Sequence, residues 1–414
     1  MSESSPNSGD FRTNMKRRNR RGKLWRTVFQ VSTVVGIVVL LALLVNIVND
    51  AFGYVAIENR VDPVTLTPEG RPLDELSKAD LIAVLEGNIS AGLFRRLEND
   101  QSFEQRSAAN IEDLIHEHIV RPRVIGKWSL LASLFQRARI SAELTESYPG
   151  AEVAFKSWID VAFLTSPQSA DAMKAGVRTA ALGSLWTIAI AFLFAFPLGV
   201  GAAIYLQEYA TDNALNRILQ TNINNLAGVP SIIYGILGLA IFVRVLEPLT
   251  SGELFGYTDP TTANGRTIIS AGLTLGLLIL PLIIINAQEA IKAVPSSLRE
   301  AAFGLGATRW QTIWSHILPN ALSGILTGTI LAMSRAIGET APLVVVGAST
   351  YITADPDGPF SKFTTLPIQI YQWTTRPQDI FRSIAAAAII VLLALLLSLN
   401  TTAVLLRNRF GRRH

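Results

Sequence analysis

Residues Arg299 to Pro319 read REAAFGLGATRWQTIWSHILP, and the use of this stretch depends on what surrounds it. Pro295, Ser296 and Ser297 ahead of it make a helix start that puts Glu300 in the first turns, and Gly304 and Gly306 can end that helix. A second short helix is expected from Thr308 to about Ile317, with Trp310, Ile313, Trp314 and Ile317 forming an apolar stripe at i, i+3, i+4 and i+7. A short amphipathic helix of this kind either docks into a partner's groove or lies on a membrane interface, where Trp is at home.

The flanking segments give the stretch its setting. On either side lie apolar runs, about 268–288 and 322–347, each long enough for a hydrocarbon core of about 30 Å. Four more runs, about 28–48, 176–205, 220–244 and 383–406, make six spans. A chain of 414 residues that is 49% hydrophobic and 16% charged, with mean hydropathy +0.34, is too apolar for two or three soluble domains. Its net charge of +4 does not point to nucleic acid, because the basic residues gather at the two ends beside apolar runs. The absence of cysteine excludes disulfides, thiolate metal sites and a cysteine nucleophile.

Charge also sets the topology. Lys16, Arg17, Arg18, Arg20, Arg21, Lys23 and Arg26 precede the first run, which lacks a small-residue cleavage site, so they stay in the cytoplasm. Six spans return the C-terminus to the same side, where Arg407, Arg409, Arg412 and Arg413 follow the last run. The expected organisation is a disordered basic cytoplasmic tail (1–23), a first transmembrane helix (24–50), a periplasmic domain (53–170), a transmembrane domain (171–406) and a basic tail (407–414). The charged stretch 53–170 has apolar positions at helical spacing and is expected to be mainly helical, α or α+β. The Arg299 to Pro319 stretch then lies in the longest cytoplasmic loop, Glu289 to Asn320.

A second signal lies in the span that follows: Ser334-Arg335-Ala336-Ile337-Gly338-Glu339-Thr340-Ala341-Pro342. Arg335 and Glu339 are four apart and can pair on one helix face. A charge near the bilayer centre costs about 2.5–3.5 kcal/mol, so the pair is expected to face the bundle interior. Gly324, Gly328, Ala332 and Ala336 form a small-residue row that permits close helix contact. The pair either balances its own charge and fixes packing or serves a transported ion.

These segments together resemble a known family. Glu300, Ala301, Ala302, Gly306, Leu318 and Pro319 match the EAA loop of the permease subunits of ABC importers, with His316 where that pattern has Ile. The Arg335 to Pro342 segment, with Gly228-Val229-Pro230-Ser231-Ile232-Ile233-Tyr234-Gly235 and Thr365-Leu366-Pro367-Ile368-Gln369-Ile370-Tyr371, resembles the phosphate-transport branch of that family. The likeness covers roughly 165–410; residues 53–165 look like the extra periplasmic domain of an extended subgroup. It implies an all-α polytopic membrane protein with the type I ABC importer permease fold in the bacterial inner membrane. It also implies a loop that couples to an ATPase through Glu300, Ala301, Ala302, Gly306, Leu318 and Pro319, and a substrate pathway at Arg335, Glu339, Ser334 and Thr340.

The partners implied are a second phosphate permease subunit, an ATPase dimer and a periplasmic phosphate-binding protein. No Gly-x-x-x-x-Gly-Lys-Ser/Thr loop occurs, so ATP is expected to be hydrolysed by the partner, with no cofactor or catalytic residue in this chain. His116-Glu117-His118 reads as a solvated surface rather than a metal site. The rival readings are a permease for sulfate or molybdate, an ion-coupled secondary transporter using Arg335 and Glu339, and a membrane-anchored sensor, which leaves five spans unexplained.

Overall fold

The computed structural model describes residues 8–67, 72–100, 102–120, 122–147, 151–257, 264–349 and 351–411. The expectations placed on residues 1–7 and on Arg412 and Arg413 lie outside them. The first element, α1 (Ser8–Ala51), is one helix of 44 residues. Where a disordered tail was expected up to residue 23, the described part is helical. Lys and Arg are good helix formers, and a helix already nucleated in the apolar run extends through them at little cost.

The chain passes straight from α1 into β1 (Phe52–Asn59), the centre of a three-stranded antiparallel sheet of order β2-β1-β3. Between β1 and β2 a helical lobe is built from α2 (Lys78–Asn88), α3 (Ala91–Asp100) and α4 (Ala108–Ile115). Ser77 and Ser107 cap α2 and α4 by accepting from the amides of Asp80 and Asn110. Leu81, Leu85, Phe103, Ile111 and Ile115 form the lobe's own core. The lobe begins and ends at one place: Arg60 N donates to Val120 O at 2.9 Å. After β2 (Pro122–Lys127) come α5 (Leu130–Phe135) and α6 (Arg137–Ser147), and after β3 (Glu152–Ser157) comes α7 (Val161–Thr165). The insert is therefore α+β.

The sheet is joined to the membrane bundle. Val55, Trp158 and Phe163 share one buried cluster with Leu366, Trp373, Phe381 and Ile384. Lys127 Nζ donates to the carbonyl of Asp379 at 2.6 Å and to Ser383 Oγ at 3.1 Å.

The bundle starts with α8 (Arg178–Ile204), which a π turn extends to Tyr209. Next come α9 (Ala214–Ala227) and α10 (Ser231–Gly238), the latter continued by a π turn to Val245. These two arms meet at 107° across Gly228 to Pro230, so the run at 220–244 is not one straight span. Pro230 has no N–H to continue the helix. After α11 (Glu247–Thr250) comes the central helix α12 (Ile268–Lys292), whose Ile268, Ala271, Leu275, Ile279, Ile283, Ala287 and Ile291 are all buried. It packs between α8 and α15 (Leu318–Gly338).

The elements α13 (Ser296–Gly304) and α14 (Arg309–Thr312) lie in the loop between α12 and α15. The expected span 322–347 breaks at Glu339 and Thr340, and a short α16 (Ala341–Val346) follows with Pro342 in its first turn. The small-residue row of α15 lies against α12: a Cβ on Gly324 would run into Ala290, and one on Gly328 into Asn286. Ala332 and Ala336 continue it, 2% and 1% exposed. Helices α17 (Leu366–Thr375) and α18 (Ile380–Gly411) complete the chain. Among the described residues, five helices are long and apolar enough to cross a membrane, or six if the bent pair counts as one span.

Candidate functional site

Two constellations stand out. The first is at the end of α15. Arg335 Nε lies 3.3 Å from Glu339 Oε1, and Glu339 is the residue at which the helix stops. The pair forms as the spacing predicts, but its location differs from the expectation. Arg335 is 45% and Glu339 18% exposed, so the guanidinium lies on an outer face of this chain rather than inside its own bundle. The inward face of α15 is taken by Gly328, Ala332 and Ala336 against α12, and Arg335, about 100° around the helix from Ala336, is turned away from it.

Ser334 goes elsewhere. Its hydroxyl lies 2.8 Å from the carbonyl of Ile330 and 2.7 Å from Asn400 Oδ1, which ties α15 to α18. Thr340 begins α16 without capping it through its side chain. The structure thus brings Arg335 and Glu339 together and separates Ser334 from them.

The second constellation is the loop between α12 and α15. Helix α13 ends at Gly304, and Gly306 takes the left-handed conformation at φ +82, where a side chain would be strained although the space around it is open. Thr308 then starts α14 through a capping box with Gln311, whose Oε1 accepts from Thr308 N at 2.9 Å. The expected apolar stripe divides. Ile313 and Ile317, in a π turn, are buried with Ala287, Ile291, Ala321 and Ile325, whereas Trp310 and Trp314 stack on each other at 5.5 Å and face outward.

Glu300 and Ala301 are exposed, Ala302 is buried, and Leu318 and Pro319 open α15 half-buried. His316 is exposed, so an Ile there would have had no core to fill. Phe303, Leu305, Trp310 and Trp314 make an exposed apolar patch on this loop.

One residue that fixes this loop was missed by reading the sequence. Glu208, in the π turn that extends α8, accepts from Arg299 Nη2 at 2.7 Å and from its Nε at 3.2 Å. Arg299 also donates to the carbonyls of Val294 at 2.8 Å and Ile291 at 3.0 Å. With side chains 20% and 11% exposed, this ion pair holds α13 against the ends of α8 and α12. Arg299 immediately precedes Glu300 in the motif; the remaining signal is an acidic residue at the end of an otherwise apolar run.

Comparison with known proteins finds a family match and several relatives. The family described as "Binding-protein-dependent transport system inner membrane component" matches residues 195–412, just over half of the chain. The "Probable ABC transporter permease protein YqgI" of Bacillus subtilis is 33% identical over 218 residues, 52% of this chain and 68% of that one. The "Phosphate transport system permease protein PstA 1" of Mycobacterium tuberculosis is 33% identical over 239 residues, 58% and 72%. The "Phosphate transport system permease protein PstC" of Pasteurella multocida is 33% identical over 238 residues, 55% and 72%.

Proposed function

Since the chain belongs to the family of binding-protein-dependent transport system inner membrane components, the multi-pass permease subunits of ABC importers, we propose that the ion it carries is inorganic phosphate and that Arg335 meets it. The exposure of the Arg335 guanidinium on the outer face of α15 carries this reading. Left against lipid, such a charge would cost about 2.5–3.5 kcal/mol, so this face needs a polar covering or an aqueous path. A second, related permease packed on that face would provide both, with the path running between the two. An arginine offers charge-assisted, forked hydrogen bonds to a phosphate oxyanion. Glu339 at 3.3 Å holds the guanidinium in place when the site is empty and takes it back when the anion leaves.

ATP binding and hydrolysis would be the work of a partner ATPase dimer below the membrane, and a soluble phosphate-binding protein would deliver substrate from outside. Phe303, Leu305, Trp310 and Trp314 give the ATPase an apolar surface, and the Glu208 and Arg299 pair makes the loop rigid enough to pass its movement to α8 and α12. Closure of the ATPases would then rock one permease against the other, opening the path on alternate sides. Both termini and the loop 289–320 would be cytoplasmic and the insert periplasmic. Phosphate is favoured over sulfate or molybdate by the phosphate-transport names of the relatives above.

The test is uptake of labelled phosphate by Arg335→Ala, Glu339→Gln and the swap Arg335→Glu with Glu339→Arg, at matched membrane abundance and with ATPase copurification as the check on assembly. Arg335→Ala near background, impaired Glu339→Gln and no substantial rescue by the swap are expected, since the swap moves the cation one turn, about 5.4 Å, along the helix. A swap that restores most of the uptake would make the pair purely structural. Wild-type uptake inhibited by molybdate or sulfate more strongly than by unlabelled phosphate would reassign the substrate.

A further inference from the structure

Where α1 ends, the chain exposes apolar surface that none of its described elements covers. The helix is exposed along its apolar length from Val28 to Val45, as expected for a lipid-facing span of about 30 Å. Its last turn is also where α5 docks: Leu131 N donates to Asn49 Oδ1 at 2.8 Å, and Ser133 Oγ accepts from Tyr54 N at 2.9 Å. Helix α5 is thereby fixed at the level where α1 leaves the hydrocarbon. It turns Leu131, Leu134 and Phe135 outward, the last 80% exposed. Phe155 of β3 is also exposed, edge-on to Tyr54 at 5.6 Å, and the Arg137 guanidinium lies 5.9 Å from the same Tyr54 ring. Three large apolar side chains projecting from six residues, with a cation beside them, form the pattern of an element lying in a membrane interface.

We propose that α5 is an interfacial anchor, with Leu131, Leu134 and Phe135 seated in the headgroup and acyl boundary of the leaflet at the C-terminal end of α1, and Arg137 among anionic headgroups. The occupant is lipid because the patch continues the lipid-facing surface of α1 through a direct hydrogen bond to its last turn. The anchor sets the insert's height and tilt over the bilayer. The inference rests on α1 spanning the membrane, not on the choice of substrate, and its test does not involve transport.

The cysteine-free chain suits site-specific labelling. Phe135→Cys, Leu134→Cys and, as a control at the exposed end of α6, Ser147→Cys would carry an environment-sensitive fluorophore in the whole complex. The complex would be held in nanodiscs of phosphatidylcholine with phosphatidylglycerol. Labels at 134 and 135 are expected to emit at shorter wavelength, to lose intensity to a lipid spin-labelled near the headgroup end of its acyl chain and to resist aqueous iodide; the label at 147 should do the reverse. Iodide quenching at 134 and 135 equal to that at 147 would overturn the proposal, and so would protection from both quenchers, which would mean a protein cover. Removing phosphatidylglycerol should weaken the lipid quenching in the wild-type background but not with Arg137→Gln; equal quenching in both lipid mixtures would remove Arg137 from the anchor.

Discussion

The ion pair between Glu208 and Arg299 gives a prediction whose size follows from its geometry. Glu208→Gln and Arg299→Met each leave the other group half-buried without its counter-charge. Truncating one partner of a fully buried pair costs about 3–5 kcal/mol. Here Arg299 keeps the carbonyls of Val294 and Ile291, and the side chains retain 20% and 11% exposure, so about 2 kcal/mol of coupling is the better figure. For a domain of this size 1 kcal/mol moves the melting midpoint by about 2–4 °C, so the double variant should melt about 4–8 °C above the sum of the two single effects. The assay is thermal unfolding of the purified complex in one detergent at one scan rate, with all four members of the cycle side by side. The single variants should also lose uptake more than ATPase activity, because a loosened α13 still meets the ATPase but no longer drives α8. Strictly additive midpoint shifts, or single variants with wild-type coupling of uptake to hydrolysis, would refute the claim that this pair fixes the loop.

The other predictions follow from single features. At Gly306, with φ +82 and open space around it, Ala should cost about 1 kcal/mol and Val considerably more, whereas Gly304→Ala, which lacks the positive φ, should be neutral or stabilising; loss of coupling in Gly304→Ala comparable to that in Gly306→Val would contradict the turn geometry. Burial holds the Lys127 ammonium below its ordinary pKa of 10.5, against the pull of Asp50 and Asp379. The unfolded chain then binds the extra proton in the window below 10.5, so the wild-type melting midpoint should gain on Lys127→Met as pH rises from neutral towards that value; a constant difference between the two would show that Lys127 does not contribute to the pH dependence. In intact cells a membrane-impermeant maleimide should label Asn110→Cys and leave Thr308→Cys unlabelled; labelling of Thr308→Cys would reverse the proposed topology.

Much of the bundle is legible in the chain because its physics is local. The pairing of Arg335 with Glu339 and the contact of the Gly324 to Ala336 row follow from helical spacing alone, and the helix start at Thr308 from the turn residues ahead of it. What escapes depends on distant partners. Glu208 acquires its role from Arg299, 91 residues further on, and nothing near it in sequence announces that partner. Arg335 faces outward because the other side of α15 is filled by α12, a choice made by packing rather than by periodicity. The 107° bend has only Gly228 and Pro230 as its signal, and prolines also occur inside helices that continue past them, as Pro197 does in α8 and Pro281 in α12. The strands of the insert are 6–8 residues long and come from three separate stretches, too short to outweigh the helical spacing around them.

The meeting of Arg60 with Val120 has a consequence for how this chain can be rebuilt. Because the lobe leaves and rejoins the sheet at adjacent backbone positions, its 61–119 segment is topologically a long excursion between two strands that are already neighbours. Loop-closure entropy grows with the logarithm of length, about 0.6 kcal/mol per doubling, so a shorter connection between these two positions is favoured. The excursion can therefore be removed in favour of a two-residue hairpin turn, or exchanged for a fluorescent or affinity module, while β1 and β2 keep their register and the bundle beneath keeps its Val55 and Trp158 contacts. A permease shortened in this way would show directly what the lobe contributes to the intact protein.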